Sequence, residues 1–352
     1  MKKFGIIIGV FALVFIVASL VVTKLVYDQS FPRFERHDDT LNAALRYEDI
    51  EGAYERTLVS FPSGDNQLQG YVYHQEDALG LIVFAHGLGG GADSYLAYTK
   101  WFLDQGWSVF MYDATGSFDS EGESTKGFPQ SLIDLHAALD YVKEYEDFFD
   151  LDLMLFGHSW GGYAVANALH LDDDIKAVVS VSAPFHANAM IFEQTQKMMG
   201  IFAYTQYPFL SLYQRWLFND YASFNAIDAI NQSDAHVMVI HGVNDDVIDY
   251  SGSAIMAKRD SITNPNVIFV SIEGEGRDGH NNVFRSSVAV QYFEELNIEY
   301  RALYDEHNGS IPYEINRDFY ARVNRFLAQE LDETLMLDIH AMFLQALTIE
   351  VE

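Results

Sequence analysis

The chain of 352 residues contains no cysteine, only seven prolines and few basic residues. The absence of cysteine excludes disulfide bonds and thiolate-ligated metal sites. Long polar low-complexity tracts are also lacking, so extensive disorder is not expected. Only 21 Lys and Arg stand against 51 Asp and Glu, which gives a formal net charge of −30. Because phosphate contacts require a basic face, this charge argues against nucleic-acid binding.

What the chain does contain is apolar residues, which make up 49% of it. This content and length predict one large core with room for a cap and appendages. No H-E-x-x-H motif occurs, and the twelve histidines are scattered along the chain. We therefore expect neither a metal ion nor any other cofactor.

A Gly-His-Ser-Trp-Gly motif occupies residues 157–161, directly after the mostly apolar run 151–156. Small residues at helical spacing follow it, namely Gly162, Ala164, Ala166 and Ala168. A strand, a sharp turn flanked by glycines and a helix form the context in which the central serine becomes a nucleophile. The pattern predicts Ser159 as that nucleophile, at the tip of a strained turn.

Two candidate partners for Ser159 lie downstream. A serine hydroxyl needs a base to remove its proton, and the base needs a carboxylate to orient it. Strand-like runs at 235–240 and 267–272 each end in a loop that carries such a residue, Asp245 and His280. This gives the order Ser, Asp, His. Asp246 is an alternative acid, but Asp245 is favoured because it lies three residues past Gly242.

Four short motifs occur in order between about residues 55 and 290. They are Ala85-His86-Gly87, the glycine-flanked Ser159 motif with Gly162, Ile240-His241-Gly242 with Asp245, and Gly279-His280. With these motifs the chain resembles the α/β-hydrolase superfamily, in particular its serine aminopeptidase S33 and monoacylglycerol-lipase-like branch. One departure is Ala114-Thr115-Gly116, where relatives usually have an Arg-Gly pair after the fourth strand.

The resemblance implies an α/β fold: a mostly parallel eight-stranded sheet with helices on both faces and a helical cap. It also implies that the backbone N–H groups of Leu88 and Trp160 form the oxyanion hole. We interpret His86, His158 and His241 as hydrogen-bonded structural residues.

The sequence predicts a hydrolase domain over residues 51–352. A segment rich in large side chains, about 186–233, is too long for a loop and is interpreted as a mostly helical cap. A C-terminal extension, about 285–352, carries apolar residues at intervals of three or four and predicts one or two amphipathic helices.

The N-terminus carries an apolar stretch, Phe4–Val22, after Lys2 and Lys3. Nineteen residues at about 1.5 Å each span roughly 28 Å, close to the hydrocarbon thickness of a bilayer. Residues 1–24 are predicted to be a membrane anchor, or alternatively a cleaved signal peptide, and 25–50 a polar linker. We expect a single-pass protein of the cell membrane with its domain outside the cytoplasm, or a secreted protein if the segment is cleaved.

The leading functional hypothesis is a serine hydrolase that cleaves carboxylic esters through an acyl-enzyme intermediate. The aromatic cap favours an apolar, lipid-like ester as the small-molecule partner. An aminopeptidase or amidase of the same fold is the first alternative, and a non-catalytic ligand-binding homologue is the second. We expect a monomer. The natural substrate and leaving group do not follow from the sequence.

Overall fold

The computed structural model describes residues 2–348, and a single eight-stranded sheet forms its centre. The strands are β1 (Thr57–Ser63), β2 (Asn66–Tyr73), β3 (Leu81–Ala85), β4 (Ser108–Tyr112), β5 (Leu153–His158), β6 (Ile175–Val181), β7 (His236–Gly242) and β8 (Val267–Ile272). Their spatial order is β1-β2-β4-β3-β5-β6-β7-β8. Only β2 forms antiparallel pairs, with β1 and β4, and every other pair is parallel. The predicted mostly parallel eight-stranded sheet is confirmed.

Helices cover both faces of this sheet, as predicted. They are α1 (Lys2–Ser30), α2 (Leu96–Asp104), α3 (Phe128–Glu144), α4 (Trp160–Ala168), α5 (Ala187–Met199), α6 (Ala203–Phe218), α7 (Ala226–Gln232), α8 (Ser287–Glu306), α9 (Tyr313–Ala321), α10 (Arg325–Ala328) and α11 (Glu333–Leu347). Helices α3 and α4 contribute to the core on one face, and α2 and α11 to the core on the other.

The alternation of side chains along each strand divides the core between the two faces. In β3, Val83 and Ala85 pack into the cluster under α3 and α4, whereas Ile82 and Phe84 pack into the cluster under α2 and α11. Because successive strand residues point to opposite faces, a strand buried on both sides must be apolar throughout. This explains the uninterrupted apolar sequence of β3 and the apolar residues that follow Ser108 in β4. The carboxyl ends of the parallel strands then meet along one edge.

The N-terminal helix is longer than the sequence predicted and is not followed by a free linker. The anchor was expected to end at residue 24, but α1 continues to Ser30. Tyr27 and Phe31 are buried against the domain, and the Tyr27 hydroxyl donates to Gln214 Oε1 at 3.0 Å. Burial of such aromatic rings stabilises a fixed position of the helix end. The interpretation of residues 25–50 as a linker is therefore wrong for this part of the segment.

Residues after α1 remain attached to the domain. The guanidinium of Arg33 donates to the carbonyl oxygens of Phe118, Ser120 and Gly122, at 2.7 to 3.0 Å. These carbonyls belong to the loop after β4, in which the Arg-Gly pair of relatives is absent. Hydrogen bonds from a charged donor are stronger than neutral ones. Arg33, which lies in the N-terminal segment and not in the loop itself, thus stabilises this loop by hydrogen bonds.

The segment after β8 contains four helices within the described residues, where the sequence predicted one or two. Of these four, helix α11 packs on the sheet, because its residues Met336, Ile339 and Phe343 are fully buried in the core on that face. Helices α8 to α10 form an insertion that precedes it. Apolar spacing indicated helices here, but it did not indicate the turns between them.

Candidate active site

Ser159 follows β5 and precedes α4, in a backbone conformation that side chains rarely adopt. Its φ is +56° and its ψ is −111°. Two flanking glycines make this turn sterically feasible. A Cβ on Gly161 would lie 2.0 Å from the carbonyl oxygen of Ala85, and one on Gly157 would lie 2.4 Å from that of Gly161. The motif therefore needs glycine on both sides because neighbouring backbone fills the space of a side chain.

The structure brings together the three residues that the sequence selected. The hydroxyl of Ser159 lies 2.9 Å from His280 Nε2, and His280 Nδ1 lies 2.8 Å from Asp245 Oδ2. All three side chains are buried. In the sequence, Ser159 lies 86 positions before Asp245, and Asp245 lies 35 positions before His280. They become neighbours because each comes from a different loop at the carboxyl edge of the sheet. Such a chain can transfer a proton from the hydroxyl to the imidazole.

Asp245 is held as a carboxylate. Burial by itself would raise its pKa, but hydrogen bonds from His241 and His280 bring the pKa well below its ordinary value. The backbone amides of Val247 and Ile248 donate to its other oxygen, Oδ1, at 2.9 and 2.8 Å. Donors on both oxygens stabilise the charged form. The carboxylate is thus suited to orient His280 and to stabilise a positive imidazolium.

Asp246, the alternative acid, is exposed, whereas the buried Asp245 makes the hydrogen bond with His280. The loops that carry the acid and the base are also joined to each other. Asn244 Nδ2 donates to Asp278 Oδ2 at 2.8 Å, and the Asn244 amide donates to the Asp278 carbonyl at 2.9 Å. Asp278 thus accepts two hydrogen bonds from Asn244, one on its side chain and one on its backbone. No pattern in the sequence pointed to the pair.

The two amides predicted for the oxyanion hole flank the serine. Leu88 lines the same cavity as Ser159 and His280, and Trp160 is the first residue of α4. Within residues 2–348, neither amide donates to a protein acceptor. Trp160 itself is fixed, because its indole N–H donates to the carbonyl oxygen of Phe128 at 2.9 Å. Amides without a protein acceptor are available to a developing oxyanion.

A hydrogen-bond chain links the Leu88 loop to the backbone of His280. The Gly87 amide donates to the Tyr95 hydroxyl at 3.0 Å, and this hydroxyl lies 2.8 Å from His158 Nδ1. His158 Nε2 lies 2.9 Å from the carbonyl oxygen of His280. Burial, with repulsion from His280, lowers the pKa of His158 to about 3, so its ring is neutral. A neutral ring with one N–H fits one donor and one acceptor partner.

His158 thus makes structural hydrogen bonds, as interpreted from the sequence, and so do His86 and His241. His86 Nε2 accepts from the Ala114 amide at 2.9 Å, and burial lowers its pKa to about 4. His241 Nε2 lies 3.0 Å from the Ile248 carbonyl and 3.1 Å from Asp245 Oδ2. Tyr95 was not selected from the sequence, where only its position after the glycine-rich loop could have indicated it.

A cavity of about 510 Å³ opens above Ser159. Its walls come from the Leu88 loop, α5 and the segment before α11, with Met190, Val283 and Gln329 among the lining residues. Apart from the two histidines, His158 and His280, the described residues that line it include no acidic or basic side chain. Residues 2–348 also contain no cluster of three or more His, Asp or Glu side chains that could hold a metal ion. The space suits a small, mostly apolar organic molecule.

Comparison with known proteins connects this geometry to a family. The family model described as serine aminopeptidase, S33 matches residues 76–229. The esterase Pf2001 of Pyrococcus furiosus superposes with a TM-score of 0.54 over 83% of this chain and 98% of that protein, at 17% identity. The chain therefore has the α/β-hydrolase fold, and its residues 76–229 match the serine aminopeptidase S33 family model.

Two further proteins are similar to this chain. Quorum-quenching protein AidA of Acinetobacter baumannii is 31% identical over 153 residues, which are 41% of this chain and 50% of AidA. The chain thus spans half of the length of that relative. Est1E of Butyrivibrio proteoclasticus, whose structure contains ferulic acid, has a TM-score of 0.51 over 69% of this chain and 99% of Est1E, at 18% identity. At such identities the two structural similarities describe the fold alone.

Proposed function

We propose that this α/β-hydrolase is a serine esterase in which Ser159, His280 and Asp245 form the catalytic triad. One observation carries the proposal: the continuous hydrogen-bond chain from Ser159 Oγ through His280 to Asp245, at 2.9 and 2.8 Å. The strained backbone at Ser159 adds support, because such strain concentrates at functional sites.

In the first half-reaction, His280 Nε2 removes the proton of Ser159 as Oγ attacks the ester carbonyl. Asp245 stabilises the imidazolium that forms. The negative charge that develops on the carbonyl oxygen is stabilised by the amides of Leu88 and Trp160. His280 then protonates the leaving alcohol, and the acyl group stays on Ser159.

In the second half-reaction, water replaces the alcohol. His280 removes a proton from the water as it attacks the acyl carbonyl, and the same two amides stabilise the new oxyanion. Collapse of this intermediate returns the proton to Ser159 and releases the carboxylic acid. The hydrogen-bond chain through His158 holds the Leu88 loop and His280 in one arrangement during both steps.

The composition of the cavity favours an ester over an aminoacyl amide. A free substrate amine would need an acidic partner, since a buried cation without one is costly. Among the described lining residues of the Ser159 cavity, there is no carboxylate. The name of Pf2001, an esterase, agrees with this choice, whereas the family description names an aminopeptidase.

We also propose that α1 anchors the enzyme in a membrane. Over Lys3–Ser30 its mean hydropathy reaches 3.0 in an 18-residue window, of which only 6% is buried within the protein. A helix this apolar and this exposed needs a nonpolar surrounding. The acidic domain would then lie at the membrane surface, outside the cytoplasm.

Labelling with a fluorophosphonate probe tests the proposed nucleophile. Full-length protein in detergent is compared with Ser159→Ala and His280→Ala. We expect wild type to be labelled and both variants to lose labelling, because the probe reacts only with an activated serine. Folded but unlabelled wild type would contradict the proposal and favour a ligand-binding role.

The bond specificity has a separate test. One preparation is assayed with p-nitrophenyl butyrate and with an aminoacyl p-nitroanilide. We expect ester hydrolysis to exceed amide hydrolysis at least a hundredfold in kcat/KM. A faster amide reaction would instead favour the aminopeptidase.

A further inference from the structure

An apolar space of about 340 Å³ adjoins the Ser159 cavity, between α1, α5 and α6. We call it the chamber. Four residues line both spaces, namely Leu88, Phe128, Met190 and Val247. None of the described residues that line the chamber is charged. The chamber is therefore an apolar continuation of the proposed substrate site.

The N-terminal helix forms one wall of the chamber. Val26, Tyr27, Ser30 and Phe31 line it from the end of α1 and the residue after it. A narrow crevice of about 20 Å³, which shares Val26 and three other lining residues with the chamber, continues along α1 to Val22 and Thr23. The path from Ser159 thus leads towards the apolar part of α1.

The turn between α5 and α6 has an unusual surface. No residue between Lys197 and Arg215 is charged, although charged residues make up 20% of the chain. We call residues 198–207 the cap corner. Its most exposed large apolar side chains are Met198 (68% exposed), Ile201 (78%), Phe202 (67%) and Tyr204 (63%). A contiguous exposed apolar surface of this kind marks a binding face.

The cap corner lies beside the membrane-spanning part of α1. Gln206 Nε2 donates to Ser19 Oγ at 3.4 Å, and the ring of Phe209, two residues after the cap corner, lies 5.9 Å from that of Phe15. Phe15 is seven residues before Val22, which corresponds to about 10 Å along a helix. If Phe4–Val22 occupies the hydrocarbon layer, the cap corner must lie inside the same leaflet. Its lack of charge agrees with that position.

Resting on the proposed esterase activity and on α1 as an anchor, we propose that the chamber binds the acyl chain of an ester dissolved in the bilayer. The acyl chain enters between α1 and the cap corner, which lies in the hydrocarbon layer. The substrate class is a long-chain acyl ester of the membrane. An apolar chain that moves from hydrocarbon into an apolar chamber avoids transfer through water, which is the unfavourable step. The ester carbonyl remains in the Ser159 cavity, between the serine and the oxyanion amides.

A substitution on α1 tests the role of the chamber. Val26→Trp fills the chamber, whereas Leu25→Trp makes the same change on the neighbouring residue, which is 63% exposed. Full-length protein in detergent is assayed with p-nitrophenyl palmitate and acetate. We expect the palmitate-to-acetate ratio of kcat/KM to fall at least tenfold in Val26→Trp and to stay within twofold of wild type in Leu25→Trp. An unchanged ratio in Val26→Trp would overturn the chamber as acyl site.

The same assay separates the two levels of the proposal. If wild type cleaves neither ester, or if Ser159→Ala cleaves them equally well, the esterase proposal fails and the acyl site fails with it. If wild type cleaves both esters through Ser159 and the ratio is insensitive to Val26→Trp, only the inference about the chamber fails.

A second pair of variants tests entry from the bilayer. Ile201→Lys places a charge on the cap corner, and Ile298→Lys places one on α8 at a similarly exposed isoleucine (78% and 71%). Each protein is reconstituted in phosphatidylcholine vesicles that contain a fluorogenic palmitoyl ester, and is also assayed on that ester in micelles. We expect Ile201→Lys to lower the vesicle-to-micelle rate ratio at least fivefold and Ile298→Lys to leave it unchanged. Equal ratios in the two variants would overturn entry from the membrane, and fluorophosphonate labelling checks that both are folded.

Discussion

The loops around Ser159 and the cap corner border connected cavities, but different kinds of contact hold them. Around Ser159, buried polar groups form directed hydrogen bonds at 2.8 to 3.0 Å, from Gly87 through Tyr95 and His158 to His280. In the cap corner, by contrast, large apolar side chains are exposed and charge is absent.

The two kinds of contact respond differently to substitution. A hydrogen bond in a buried site depends on the position of individual atoms, and its loss leaves an unsatisfied partner. Apolar contact depends on area and volume and has little directionality. Small changes of atoms should therefore inactivate the Ser159 site, whereas the cap corner should tolerate them and respond to charge or bulk instead.

The largest effect is expected from Asp245→Asn. The substitution keeps the shape of the side chain but removes the negative charge that stabilises the imidazolium and selects its tautomer. By analogy with serine proteases, kcat should fall by about 10⁴. Ester hydrolysis by Asp246→Asn, with the same change at the adjacent exposed residue, is the control and should match wild type. A loss in Asp246→Asn comparable to that in Asp245→Asn would show that the acid has been assigned wrongly.

The next largest effect, on the free energy of unfolding, is expected from Gly161→Ala in the turn that carries Ser159. In Gly161→Ala the new Cβ would lie 2.0 Å from the Ala85 carbonyl oxygen, so β3 and α4 must move apart. Overpacking of this kind typically costs about 1–3 kcal/mol, and contact with backbone places the effect at the upper end. Urea unfolding of the full chain in detergent, followed by tryptophan fluorescence, measures it. Gly52→Ala, where a Cβ would meet nothing within 4 Å, is the control.

A smaller effect should appear as a pH dependence of stability. The pKa of His158 is about 3 in the folded protein, against about 6.5 for an unperturbed histidine. Between these values the unfolded chain binds one more proton, so the free energy of unfolding should fall by about 1.4 kcal/mol for each pH unit of acidification below 6.5. Above pH 6.5 this contribution is fully present.

His158→Gln should remove the contribution of His158 to the pH dependence of the free energy of unfolding. Urea unfolding at pH 7.5, 5.5 and 4.5 measures this dependence. The substitution should also lower stability at pH 7.5, because the contacts with Tyr95 and His280 change. The exposed His74→Gln serves as the control, with the wild-type slope. Equal slopes in wild type and His158→Gln would contradict a neutral buried His158.

The smallest effect is expected on the surface of α6. Leu212 is 61% exposed and Leu210, two residues earlier, is 3% exposed. Leu212→Ala should change the free energy of unfolding by less than about 0.5 kcal/mol. Leu210→Ala should cost about 2–5 kcal/mol, because it leaves a cavity between α6 and its neighbours. Similar losses in the two variants would contradict the exposed position of Leu212.

Much of the site followed from local patterns. The run before Ser159 and the small residues after it required a strand, a turn and a helix, and the strand-like runs before Asp245 and His280 placed both in loops at the same edge. What local patterns could not supply was the contact between loops. Tyr95, Asn244 and the hydrogen-bonded role of Asp278 depend on partners distant in sequence.

The N-terminal segment shows the same limit. Its apolar stretch predicted a helix long enough to cross a bilayer, and α1 has that length. The sequence of residues 25–31 contains polar groups and was interpreted as the start of a linker. The burial of Tyr27 and Phe31 depends on Tyr213 of α6 and Phe128 of α3, which are 186 and 97 residues later in the chain, so no local pattern could indicate it.

The sequence by itself determined the alternation of strands and helices up to β8, the strained serine turn and the apolar N-terminal helix, because each depends on neighbours within a few residues. Only the tertiary structure decided which loops meet at Ser159, how His158 joins two of them, and that α1 forms a wall of the chamber beside the site. These features require contacts across the sheet or between α1 and the cap, and such contacts form only when the whole chain has folded.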